Sequence, residues 1–174
     1  MFGNKRVAGV FFIFLLLMAT FGFCENVKEP NVAGAFYPDD PKVLSAMIEE
    51  FLAQAKPPAM NGEIFALILP HAGYGYSGQV AAFGYKLVEG NPYKTVIVIA
   101  PSHQYAFSGV SVYAEGAFRT PLGEVIVDRD FTQKLLNKIK DVAFVPEAFA
   151  KEHALEVQIP FLQKVLHFLR LSLL

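Results

Sequence analysis

The sequence predicts an α/β fold: an open, largely parallel or mixed sheet with helices on both faces. Three observations predict it. Residues 64–69 form an unbroken apolar run, the pattern of a strand buried on both faces. Val96-Ile97-Val98-Ile99-Ala100 repeats the pattern. Around these runs lie segments with apolar residues at helical spacing and recognisable helix-start residues. Both runs also end alike, the first in Pro70-His71 and the second in Pro101-Ser102-His103. Two histidines thus each follow a strand and a proline. Ligands of open sheets bind in the crevice beyond the carboxyl ends of strands. Neighbouring parallel strands would bring both imidazoles to one edge, and this pair is the expected core of a functional site.

The remaining elements follow in chain order. Lys5 and Arg6 precede an uncharged apolar stretch from Val7 to Cys24. Residues 1–24 read as a secretory signal peptide, giving an exported or periplasmic protein. One alternative is an N-terminal membrane anchor, since a stretch of that length just spans a bilayer. The other is a misassigned start and a cytoplasmic protein. Residues 25–174 form one domain. Asp40-Pro41 reads as N-cap and first residue of a helix over 41–55, with Leu44, Ile48, Phe51 and Leu52 as its apolar stripe. After His71, a Gly- and Tyr-rich loop leads to a helix near 78–88. Gly78, Ala81, Ala82 and Gly84 keep one face slim enough for close packing. A strand is expected at 94–100 and short strands at 110–113 and 124–127, with a turn-rich bridge at 116–123. Asp128 can cap a helix carrying Phe131, Leu135, Leu136 and Ile139. Residues 142–146 read as a fifth short strand or an extended loop. The last long element opens as a helix at Glu152, which Pro160 must kink or restart. An apolar tail, in which His167 reads as structural, closes the sequence; a doubly wound protein would normally continue from it with another strand.

Composition narrows the function. The chain has 174 residues, a one-domain length, and 53% hydrophobic residues, enough for a sizeable core. Net charge is −1 with no basic block, so nothing points to nucleic acid, and membrane contact is expected only through the N-terminal segment. Cys24 is the single cysteine, so no intrachain disulfide is possible.

Neutral imidazole is a good ligand for iron, zinc, copper or nickel. His71 and His103 can supply two ligands of a metal site, and a third donor is needed. Glu152, His153 and Glu156 are the candidates, placed by spacings of three and four on one helix face. That face could equally be solvated. The segment is not His-Glu-x-x-His, so the zinc-protease argument does not apply. Tyr74 and Tyr76 could line a pocket for a cofactor or ligand, or simply pack. Without a metal, the Gly/Tyr loop would make a non-catalytic module for a peptide or small ligand.

At these residues the chain resembles the Memo-like family, which includes system protein B of the Ammecr1–Memo–radical-SAM (AmmeMemoRadiSam) grouping. The matching segments are Val32-Ala33-Gly34-Ala35-Phe36-Tyr37-Pro38, Pro70-His71-Ala72-Gly73-Tyr74-Gly75-Tyr76-Ser77-Gly78 and Pro101-Ser102-His103. Phe118-Arg119-Thr120-Pro121-Leu122-Gly123 and Glu152-His153-Ala154-Leu155-Glu156-Val157-Gln158-Ile159-Pro160-Phe161 complete the set. The resemblance implies a fold like the class III extradiol (LigB-type) dioxygenases, which use nonheme Fe(II), with His71 and His103 on the two histidines corresponding to metal ligands and His153 with its glutamates on a motif near that pocket; copper or zinc are the alternatives that imidazole donors leave open. It implies a functional link to a radical-SAM protein and an Ammecr1-type protein. The family's later Ser-Ser-Asp-x-x-His and Cys-Gly segments do not occur here, and the pattern is expected to fail after about residue 167. A domain incomplete at its C-terminus and an impaired, weakly metal-binding site are the resulting expectations.

Overall fold

A computed structural model describes residues 26–167 and 170–174. The expected signal peptide or anchor at 1–24 lies outside the described residues. Among those described, no helix is long and apolar enough to cross a membrane.

Five strands form one mixed sheet. β1 is Val27–Lys28, β2 Thr95–Val98, β4 Ala117–Thr120, β5 Gly123–Val127 and β7 Arg170–Leu173. Their order is β1-β4-β5-β7-β2, parallel throughout except for the antiparallel β4–β5 pair. That hairpin occupies the stretch expected to be a turn-rich bridge. Its connection, Pro121-Leu122, ends at Gly123, whose φ of +118° suits glycine. A second, two-stranded parallel sheet pairs β3 (Val110–Ser111) with β6 (Val142–Ala143), so 142–143 is a strand rather than a loop.

The apolar tail is the largest addition to the expected layout. It contains β7, which lies between β5 and β2 with Leu171, Ser172 and Leu173 fully buried. His167, just before it, is exposed rather than packed. The tail, expected only as an apolar segment, is thus a strand of the main sheet.

The 64–69 run corrects the expectation in the other direction. It is extended but pairs with no strand among the described residues, and Phe65 and Ile68 are fully exposed. Burial on both faces requires a layer on each side, and the described residues supply only one. Ile64, Leu67 and Leu69 pack against the core, and the Tyr93 hydroxyl holds the Ile64 carbonyl at 3.0 Å.

Helix α1 (Pro41–Gln54) starts as its sequence demands. The Asp40 carboxylate accepts from the Lys42 and Val43 amides at 2.8 and 2.9 Å, and Leu44, Ile48 and Leu52 are buried. Helix α2 spans Tyr74–Leu87 and begins earlier than expected, at Tyr74 rather than Gly78. Its slim face packs on α1 and on residue 69. A Cβ at Gly78 would sit 2.5 Å from the Phe51 ring, and one at Gly84 would overlap Leu69. Helix α3 (Arg129–Lys138) is capped by Asp128, which accepts from the Phe131 amide at 3.0 Å and from the Thr95 hydroxyl at 2.6 Å. Helix α4 is Pro146–Ala150.

The expected helix at Glu152 does not form. Residues 152–155 turn instead, a 3-10 turn covers Glu156–Gln158, and helix α5 is Ile159–Val165 with Pro160 in its first turn. Phe161 of α5 is buried between two tyrosines of α2. Its ring centroid lies 4.8 Å from Tyr85, stacked, and 5.0 Å from Tyr74. This packing seats the 152–158 segment against the start of α2, where His71 leaves the extended run.

Candidate metal centre

Three imidazoles meet at the end of the 64–70 and 95–101 segments. Ring centroids are 5.2 Å apart for His71 and His103, 4.6 Å for His103 and His153, and 6.1 Å for His71 and His153. The two strand-end histidines thus converge, although only one of the two segments before them is a paired strand.

Glu152 organises this group. One carboxylate oxygen accepts from the His103 ring Nδ1 at 3.0 Å and from the His153 and Ala154 amides, both at 2.8 Å. The other accepts from the His103 amide at 2.6 Å. The carboxylate is buried, which raises its pKa. The His103 and Ala154 amides, the His103 ring and the His153 amide outweigh that and bring it down to about 2. An ionised Glu152 can only accept, so the His103 proton sits on Nδ1 and leaves Nε2 free as a donor of an electron pair.

The side chains expected on one helix face point to separate tasks because 152–155 is not helical. Only His153 joins His71 and His103. Its ring packs edge-on against Phe36 at 4.8 Å. Burial lowers its pKa, which keeps the imidazole neutral and ligand-competent. Glu156 does not reach the pocket. It is buried and accepts from the Asn31 and Val32 amides at 2.6 and 3.0 Å and from the Tyr37 hydroxyl at 2.6 Å. Tyr74 is likewise in the core rather than on the pocket wall, with its hydroxyl on the Val157 carbonyl at 2.8 Å. Tyr76 is exposed and lines an open cleft of about 650 Å³ together with His71, His153, Phe36, Leu69 and Pro70.

Three residues of the site went unremarked in the sequence. The Asn31 side chain donates to the Glu152 carbonyl at 2.9 Å, and Phe36 walls the cleft. Gln158 donates to the Pro70 carbonyl at 3.1 Å. All three lie in or beside the recognised segments, but helix-face reasoning gave them no role.

One donor atom from each of His103, Glu152 and His153 lies within 4.8 Å of the others, a cluster that could hold a metal ion. The chemistry of the set can be tested against one. Two imidazoles on a common ion, at metal–nitrogen distances of about 2.1 Å, have ring centroids roughly 4.5–5.5 Å apart. The 4.6 and 5.2 Å pairs fall in that range and the 6.1 Å pair lies outside it, and His71 is not part of the cluster of mutually close donors. Three of the four hydrogen bonds that Glu152 accepts fall on one carboxylate oxygen, which orients His103; the other oxygen takes a single amide and keeps a lone pair.

Residues 28–172 match the family model described as Memo-like protein. The chain belongs to the Memo-like family. The match reaches residue 172 and so includes most of β7, which corrects the expected departure after about residue 167. A MEMO1 family protein of Methanopyrus kandleri is 41% identical over 146 residues, covering 79% of this chain and 52% of that protein. One from Sulfolobus acidocaldarius is 41% identical over 151 residues, with coverage of 79% and 52%. One from Methanocaldococcus jannaschii is 40% identical over 148 residues, with coverage of 79% and 51%. The chain thus spans about half the length of these Memo-like relatives.

Proposed function

We propose that this Memo-like chain carries a transition-metal site on His71, His103 and His153, with Fe(II) or copper as the ion and a dioxygenase-like redox role. The observation that supports the reading is the convergence of three imidazoles, one of them held in a metal-ready tautomer by a buried carboxylate. Neutral nitrogen donors suit iron and copper, and zinc to a similar degree. Bound there, a redox metal supplies Lewis acidity and one-electron chemistry toward oxygen. The chain's own residues do the rest. Glu152 holds His103 in place, burial keeps His153 unprotonated, and Phe36, Leu69 and Tyr76 line the cleft beside the imidazoles. Among the described residues no Lys or Arg lines that cleft, so it favours a small neutral ligand over a phosphorylated one.

In the proposed set Glu152 acts as the partner of His103 rather than as a ligand. Weak binding, roughly micromolar, is the expectation to be tested. Anaerobic titration with Fe(II), followed by calorimetry, tests this. One site with micromolar affinity, lost in His71→Ala and His103→Ala, supports the proposal. No binding in the millimolar range would reject it in favour of a metal-free ligand-binding module, for which the cleft alone would suffice. Nanomolar affinity would show that the predicted weakness is wrong.

A further inference from the structure

We infer that Gln158 is a positioning residue for His71, an inference that rests on the metal reading above. The three imidazoles are not held alike. His103 has its ring fixed by Glu152, and His153 has its amide on the same carboxylate and its ring against Phe36. Among the described residues no hydrogen bond reaches the His71 ring. Its placement is delegated to the backbone on either side.

That backbone is fastened at two points. On the far side, the Tyr74 amide donates to the Phe36 carbonyl at 2.7 Å, and the Tyr74 hydroxyl donates to the Val157 carbonyl at 2.8 Å. On the near side the anchor is Gln158. Its Nε2 donates to the Pro70 carbonyl at 3.1 Å, and its Oε1 accepts from the Tyr85 hydroxyl. Gln158 is buried, at 7% exposure. Its orientation is forced, because a carbonyl only accepts and must therefore face the NH₂ group. Pro70 has no N–H of its own, so its carbonyl is the one backbone hydrogen-bonding group at that residue. Releasing it frees the peptide that carries His71. The extended run before Pro70 cannot compensate, since it has no strand partner among the described residues.

Gln158→Met is close in size and tests this directly. It removes the donor to the Pro70 carbonyl and adds no group that can replace it. The assay is Co(II) titration read by absorption in the visible region, with circular dichroism as the folding check and histidine ring ¹⁵N resonances of the metal-free protein as a second readout. The expected result is an affinity lower by about 10- to 100-fold, the usual effect of losing an orienting contact. The Co(II) spectrum should change, and the His71 ring resonances should shift while those of His103 stay put. A folded variant with wild-type affinity and an unshifted His71 ring overturns the role of Gln158 and leaves the metal site standing. A wild-type protein that takes up no Co(II) overturns both. If Gln158→Met does not fold, Tyr85→Phe replaces it, unpinning the carboxamide while retaining its donor. A smaller loss of affinity with the same shift at His71 supports the inference, and no change in either overturns it.

Discussion

Glu152→Gln removes a charge from the centre of the site, and its consequence can be worked out from the contacts. Glu152 accepts from two groups of His103 and from the amides of His153 and Ala154. Together these bring its pKa from 4.5 down to about 2 despite burial. A carboxylate whose folded value lies below its unfolded value stabilises the fold above the unfolded value, and the stabilisation is lost as pH falls between the two. The window is therefore from about 4.5 down to about 2. The difference corresponds to about 3 kcal/mol at 1.36 kcal/mol per pH unit. The site opens toward the cleft, where solvent screens part of the interaction, so about 2 kcal/mol is the expected measurable share. Urea unfolding of both proteins at pH values from 7 to 3 is the assay. At pH 7 the gap between wild type and Glu152→Gln should be about 2 kcal/mol, the screened share. It should shrink steadily below pH 4.5, because the variant has no carboxylate to protonate there. A gap that stays constant between pH 7 and 3 would refute the argument. So would a gap no larger than an exposed ion pair gives, below about 0.5 kcal/mol throughout.

Other substitutions probe the framework. Glu156→Ala strips the Asn31 and Val32 amides and the Tyr37 hydroxyl of a buried acceptor and should cost about 3–5 kcal/mol, read as a lower urea midpoint. Gly78→Ala drives a methyl group into the Phe51 ring, so a loss of about 1–2 kcal/mol is expected despite alanine's better helix propensity; a gain in Tm would show that the ring yields freely. Phe65→Glu and Ile68→Glu fall on fully exposed side chains. Each should change unfolding free energy by less than about 0.5 kcal/mol while reducing self-association in sedimentation.

The parts legible in the sequence are those whose signals are local. Asp40-Pro41 and Asp128 announce their helices because a cap and the residues it satisfies lie within one turn. The echo of a proline and a histidine after two apolar runs brought His71 and His103 together on paper, and their rings lie 5.2 Å apart. The parts that failed depend on what lies across the fold. Hydrophobicity at 64–69 reported affinity for a core but could not report whether a layer covered both faces. Arg170–Leu173 carries a buried serine at its middle and no turn signal, so only its slot between β5 and β2 makes it a strand. The 152–156 spacing matched a helix, yet the Glu152 carboxylate bonds to the two amides that follow it. Such a local bond competes with the helical ladder and explains why the helix begins only after residue 158.

Glu152 and Glu156 stand one helical turn apart in sequence, both nearly buried. Among the described residues neither has a cationic partner within ion-pair distance other than the histidines beside Glu152. A buried carboxylate in that position survives only where hydrogen-bond donors replace its hydration. Each has found neutral backbone N–H groups to do so, Glu152 from residues 103, 153 and 154 and Glu156 from residues 31 and 32. Their common effect is to tie remote segments to one short stretch of chain, and Gln158 adds the Pro70 segment to the same stretch. Residues 31–37, 70–74 and 103 meet at the imidazoles because residues 152–158 hold all three. The site is therefore expected to fail as a unit. Loss of either carboxylate should weaken metal binding even though neither needs to touch the ion, and loss of His71, whose ring makes no hydrogen bond among the described residues, should weaken binding while leaving the urea midpoint nearly unchanged.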